Sequence, residues 1–311
     1  MMKDTYLFIP SYHRPDNLKT VRMFQKLGWE MSHIVVFIDN ETDDKDQYEK
    51  SCRKYGCKLN VFDMSEARAR YDYIHKPSKA LRSAGQARNM MQDYAKENGI
   101  DFYVVQDDDS NCMQRRFPLF NRKEKYTADG ECVGRIFDMV EDFMRKRHIG
   151  VFALPQMGDF IGGVKPYTYI RKVMNTTFYL IPYIYRGERG VQDDDTSMFC
   201  GILNNGLFTG STGCGLSLMQ TMSATQKGGL TNLYKECKLL NKALITPIQY
   251  PSAIKAEKQK GNGNRLHHKI NYRYLSPVIM KSDDGRDNIA WDTYEEDFPF
   301  TNEPRLKRHV R

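Results

Sequence analysis

Along the first hundred residues, short apolar runs alternate with polar stretches of helical period. TYLFIPSY (5–12) is a β-rich run stopped by Pro10, and residues 16–28 then place Leu18, Val21, Phe24 and Leu27 at three-residue spacing before Gly28. The first pattern predicts a buried strand and the second an amphipathic helix closed by its glycine. HIVVFIDNET (33–42) predicts a wholly apolar second strand ending in Asp39 and Asn40. Residues 44–56 predict a polar helix and CKLNVFDM (57–64) a third strand. A helix over 80–100 carries Ala84, Ala87, Met91 and Tyr94 on one side, and DFYVVQDDDS (101–110) predicts a fourth strand. Strands and helices alternating in short units predict a parallel sheet with right-handed crossovers. Ligands of such sheets bind beyond the carboxyl ends of the strands. Three of the four strands end there in polar groups: Ser11 to Arg14, Asp39 with Asn40, and Asp107 to Asp109.

The second half is less regular. Residues 131–147 predict a helix, GVFALPQM (150–157) a strand, and TTFYLIPYIY (176–185) a strand of a mixed sheet. A second acidic triplet, in VQDDDTSM (191–198), precedes what looks like the opening of a helix. Residues 205–230 are rich in Gly, Ser and Thr, which predicts mobile loops near a site.

Composition narrows the classes. At 311 residues and 40% hydrophobic, the chain can form one large α/β domain or two small ones around a real core. No apolar run approaches the roughly 20 residues of a membrane span, and MMKDTYLFIP predicts a first strand, not a signal peptide. Seven cysteines lie scattered with no CxxC pair, which predicts free thiols in a reducing cytosol and gives zinc little support. The net charge of +8 favours an anionic partner. It is unevenly spread: residues 255–273 hold six Lys/Arg, two His and one acid, residues 283–303 hold eight acids against Arg286, and the final RLKRHVR is basic.

The two triplets are the sharpest chemical signal, because adjacent like charges call for either a solvated turn or a bound cation. On a strand continuing through 101–110, Asp107 and Asp109 face one side and Asp108 the other. Two hard oxygen donors facing one pocket suit Mg²⁺ or Mn²⁺.

FIPSYHRP (8–15), VVFIDNET (35–42), AGQARNMM…DFYVVQDDDS (84–110) and VQDDDTSM (191–198) occur in an order that resembles the GT-A glycosyltransferases of the inverting family-2 type. The similarity covers about residues 1–200, and its order and spacing are more specific than any single motif. It implies an α/β, Rossmann-like mixed sheet flanked by helices, with a loop-rich C-terminal extension. The corresponding division is a catalytic domain over 1–250, split into a nucleotide-binding half (1–112) and an acceptor-binding half (113–250). Residues 251–311 would then be an extension packing on or near the active site. Carried over, the resemblance puts Pro10, Tyr12 and Arg14 in the nucleotide pocket and Asp39 on the base or ribose. Arg88 and Asn89 lie near the diphosphate or ribose, Asp108 belongs to the same nucleotide-side set, and Asp107 and Asp109 hold the cation that bridges the diphosphate. Related enzymes carry an E-D-x-D motif at a helix start; QDDDTSM fits it with Gln192 in place of the Glu. Asp193 is then the general base, Asp194 the base if the register slips by one, and Asp195 the second acid at the helix N-terminus. Such enzymes also recruit a C-terminal His to the metal, for which His267 and His268 are the candidates, neither preferred.

The implied activity is metal-dependent, inverting transfer of a hexose from a UDP-sugar, with glucose the expected sugar. Within that group the chain looks like the phage-type, TET-associated enzymes, whose implied acceptor is a hydroxymethylated pyrimidine in DNA. A cytoplasmic setting in a bacterium or phage-infected host would follow, without membrane attachment. A saccharide or protein acceptor, a nucleotidyltransferase, and a non-catalytic nucleic-acid-binding module of the same fold are the alternatives.

Overall fold

The computed structural model of the chain describes residues 5–70, 83–116, 126–154, 168–169, 176–184, 193–205, 207–211, 215–220, 243–258, 266–271 and 274–275. The first half follows the predicted alternation of β1 (Tyr6–Pro10), α1 (Lys19–Lys26), β2 (Ile34–Asp39), α2 (Lys45–Tyr55) and β3 (Lys58–Phe62), then α4 (Ala84–Glu97) and β4 (Phe102–Val105), with one helix the sequence pattern does not predict, α3 (Met64–Arg70), between β3 and α4. Gly28 follows α1 with φ +72°, a left-handed conformation that a side chain would disfavour. In the second half come β5 (Ser110–Arg116), β6 (Tyr126–Thr127), α5 (Gly130–Arg147), β7 (Ile149–Ala153), β8 (Thr168–Tyr169), β9 (Thr177–Leu180) and α6 (Asp194–Asn204). They are followed by β10 (Phe208–Ser211), β11 (Gly215–Gln220), a helix α7 over 243–249, β12 (Ile254–Lys258) and β13 (Leu266–Ile270).

Eight strands form one sheet in the order β3-β2-β1-β4-β9-β7-β10-β8. β1 pairs in parallel with both β2 and β4, and β2 with β3, whereas β9 runs antiparallel to both β4 and β7. Both faces are covered, which is why the central strands are continuous apolar runs. Leu7, Ile9, Ile34, Val36 and Val104 point into one core with Val21, Phe24, Tyr48 and Phe137 of α1, α2 and α5. Phe8, Val35, Phe37 and Tyr103 point into the other with Ala87, Met91, Met198 and Phe199 of α4 and α6. The expected mixed α/β sheet flanked by helices is therefore observed. No helix among the described residues is long and apolar enough to cross a membrane.

Three further details differ from expectation. The fourth strand stops at Val105 and does not run to Ser110; Gln106 to Asp109 form a turn, and the chain then enters a separate three-stranded sheet ordered β11-β5-β6. Strand alternation thus cannot orient the first triplet. Part of the stretch 205–230, expected as loops, is the strands β10 and β11. Part of the basic stretch 255–273 is an antiparallel ribbon of β12 and β13. Gln192, residues 221–230 and 283–303, and the basic final segment lie outside the described residues.

Candidate active site

Successive strands β1, β2 and β3 progress to one side, and β4 returns to pair on the other side of β1. The seam between β1 and β4 is therefore the point where strand order reverses, and the crevice beyond it is the place such sheets offer a ligand. The polar ends of β1 and β4 meet there. Arg14 Nη1 lies 2.7 Å from Asp108 Oδ1 and 3.8 Å from Asp109 Oδ2. Ser11 Oγ donates to Asp108 Oδ2 at 2.6 Å, Tyr48 OH lies 2.8 Å from Ser11 Oγ, and the Arg14 backbone N–H donates to Tyr48 OH at 2.9 Å. Since the Ser11 proton goes to Asp108, Tyr48 must donate to Ser11. Both oxygens of Asp108 are thus engaged within the protein. Burial pushes its carboxyl up, with Arg14 and Ser11 opposing.

The other two acids of the triplet are placed differently. Asp107 is the most exposed of the three, with 36% of its side chain accessible. Asp109 is buried, and its carboxyl is pushed up to about 6, first by burial and then by the charges of Asp107 and Asp108. The turn is fixed from below by Thr20, at the start of α1. Its N–H donates to the Asp108 carbonyl at 3.2 Å, its hydroxyl donates to the Asp107 carbonyl, and it accepts from Ser110 N–H at 3.0 Å.

The second triplet opens α6. Asp193, at the cap, has φ +55° and ψ +33°, the left-handed region that Asp tolerates better than most residues. Its Oδ2 lies 2.7 Å from His268 Nδ1, and both side chains are buried. Asp194 is buried at the first helical position; burial raises its carboxyl, and Arg88 offsets this. Asp195 is half-buried, its Oδ1 accepting from Thr196 N–H at 2.8 Å.

Arg88 brings the two triplets together. Its Nη1 is 2.6 Å from Asp194 Oδ2 and its Nη2 is 3.3 Å from Asp107 Oδ1. Of the remaining expected residues, Asn89 is buried beside Arg88 in α4, and Pro10 ends β1. The Tyr12 ring is tilted by 52° against that of His13, with centroids 4.0 Å apart. Asp39 is buried at the end of β2, where its Oδ1 accepts from Glu41 N–H at 3.0 Å. The two histidines are separated by the ribbon's alternation. His268 shares a face with Ile254 and Ile270, which pair opposite one another and pack into the second core, whereas His267 shares the other face with Lys255, Glu257 and Lys269. Thr20 and Tyr48 are participants that motif reasoning missed, and Ser11, expected only as part of the polar end of β1, helps hold Asp108. Tyr48, Cys52 and Tyr55 recur at i, i+4 and i+7 in an otherwise polar helix, a signal that marks its core-facing side.

Among the described residues no group of three or more His, Cys, Asp or Glu side chains converges as a metal cage. What the first triplet offers is two carboxylates, crowded by a third whose oxygens are taken, with Asp109 raised first by burial and then by repulsion from its neighbours. That donor set fits Mg²⁺ or Mn²⁺, which bind through one or two carboxylates and complete their shell with water and phosphate oxygens.

A protein-family model described as TET-associated glycosyltransferase matches residues 5–229. The chain belongs to this family. It is a glycosyltransferase whose two acidic motifs both lie within the matched span. No curated protein matches its sequence. Among solved structures it is loosely similar to glucosyl-3-phosphoglycerate synthase from Mycobacterium tuberculosis in complex with Mn²⁺, UDP and phosphoglyceric acid, at 9% identity and TM-score 0.44 over 87% of this chain and 90% of that one. The same enzyme with Mn²⁺, UDP-glucose and phosphoglyceric acid gives 8% identity and TM-score 0.46, again over 87% and 90%. Mannose-1-phosphate geranyltransferase from Thermus thermophilus gives 15% identity and TM-score 0.27 over 49% and 41%.

Proposed function

We propose that this glycosyltransferase moves a hexose from a UDP-sugar to the hydroxyl of a hydroxymethylated pyrimidine in DNA, with inversion at the sugar. The observation that carries the reading is the meeting of two acidic triplets across Arg88 at the carboxyl edge of the sheet, one beside the β1–β4 seam and the other at a helix start. The first suits a charged donor and the second suits proton removal from an acceptor.

In this reading Asp107 and Asp109 hold Mn²⁺ or Mg²⁺, which when bound would neutralise the charge gathering on the departing diphosphate. Arg14, fixed by Asp108, lies beside them on the nucleotide side with Pro10 and Tyr12. Asp39 faces the base or ribose. Asp193 takes the acceptor's proton as the new bond forms between the acceptor oxygen and the anomeric carbon and the bond from that carbon to the phosphate oxygen breaks. UDP leaves from the opposite face. His268, with its Nδ1 turned to Asp193, would offer Nε2 to the cation or a phosphate oxygen; His267 stands on the other face of the ribbon and takes no part.

A DNA acceptor is supported by the family's association and by the net charge of +8. A base inside a duplex would have to leave the stack to reach Asp193, and binding would weaken steeply with salt. The test is radiolabelled transfer from UDP-glucose, with Mn²⁺ or with chelator, to duplexes containing cytosine or hydroxymethylcytosine. Label appearing only on the hydroxymethylated duplex, and only with the cation, supports the reading. Transfer confined to free saccharides would overturn the acceptor; transfer undiminished by chelator would overturn the cation site.

A further inference from the structure

We propose that Arg88 couples the cation site to the acidic start of α6, because the guanidinium that pairs with Asp194 also occupies an oxygen of Asp107. The proposal rests on the reading of Asp107 as a cation donor. Its two contacts are unequal: 2.6 Å to Asp194 and 3.3 Å to Asp107, the former carboxylate buried and the latter partly exposed. Arg88 itself, on the first turns of α4, has only 15% of its side chain accessible, so its charge is poorly screened by water. A divalent cation at Asp107 must take up a carboxylate that already has a positive neighbour. The more completely Arg88 is held by Asp194, the less it obstructs that cation. Equilibrium linkage makes the relation reciprocal: cation uptake at Asp107 drives Arg88 onto Asp194 and so tightens the anchoring of the helix start that carries Asp193. The planar, two-pronged guanidinium is required, because one ammonium cannot span both carboxylates.

The experiment is a double-mutant cycle read by Mn²⁺ affinity, from the electron spin resonance signal of free Mn²⁺, on the full chain at fixed neutral pH without nucleotide. Arg88→Gln should tighten Mn²⁺ about threefold or more, and Asp194→Asn should weaken it by a similar factor. Asp194 also attracts the cation directly through space, so the diagnostic is its effect in the Arg88→Gln background, which should fall well below its effect in wild type and leave only that direct part. Arg88→Lys should lose most of the coupling while keeping the charge, and thermal melts would establish that each variant folds. Looser Mn²⁺ binding in Arg88→Gln, or an equal effect of Asp194→Asn in both backgrounds, would overturn the coupling. A wild-type chain that takes up no Mn²⁺ would instead overturn the cation site on which the coupling depends.

Discussion

Arg14 and Asp108 form a 2.7 Å ion pair across the seam where β1 and β4 lie side by side. Since Ser11 holds the second oxygen, Asp108 fastens the two strand ends to each other and aims Arg14. Strand alternation would make it the least consequential acid of its triplet. The turn that begins after Val105 makes it the most firmly anchored one. Asp108→Asn should therefore lower unfolding stability by about 1.5–3 kcal/mol, the range for a hydrogen bond to a charged group. It should leave more of the cation affinity than Asp109→Ala does. Urea midpoints alongside Mn²⁺ titrations of the two variants check this, and a neutral Asp108→Asn would contradict it.

Asp109 supplies a pH signature. Its carboxyl stands at about 6 in the folded chain, against about 3.9 when unfolded. The folded state consequently binds this proton more tightly. In the metal-free protein the group's contribution to stability is complete below about pH 4 and is lost as pH rises through about 6. Denaturation midpoints with chelator across that window should fall more steeply in wild type than in Asp109→Asn. Parallel curves would show that the carboxyl is not raised.

Loss of the base should separate binding from chemistry. Asp193→Asn should retain donor binding, because an amide preserves the shape, yet cut turnover by about 10²- to 10⁴-fold. Single-turnover transfer with calorimetric donor binding is the assay. Should Asp194→Asn abolish turnover while Asp193→Asn transfers normally, the base is Asp194. His268→Ala should impair turnover or cation affinity, and His267→Ala should change neither.

Thr20 offers a nearly isosteric test of the turn's foundation. Thr20→Val keeps the volume but removes the hydroxyl that serves the Asp107 carbonyl and Ser110 N–H. Leaving the buried Ser110 N–H unsatisfied costs about 1–3 kcal/mol, and cation affinity should fall although no donor atom was touched. Unchanged affinity would mean that the turn holds its shape without Thr20.

Much of this arrangement is legible in the chain, for identifiable reasons. Leu7, Val35 and Val104 lie in runs apolar on both faces, so the parallel core declares itself. Both triplets lie where chemistry is expected because each follows or opens a regular element. Orientation is harder to read, since the turn over Gln106 to Asp109 depends on Thr20 and Ser11, which are 87 and 97 residues from their partners. The convergence of the triplets on Arg88 bridges 106 residues and no local pattern announces it. His268 differs from His267 by parity alone, which becomes informative only once the ribbon is known to exist.

That parity bears on how the ribbon can diverge. Adding or deleting one residue within β13 would swing His267 inward and send His268 to solvent, undoing the contact with Asp193, whereas a change of two would restore the original facing. Length variation among functional homologues should accordingly come in even steps at this place.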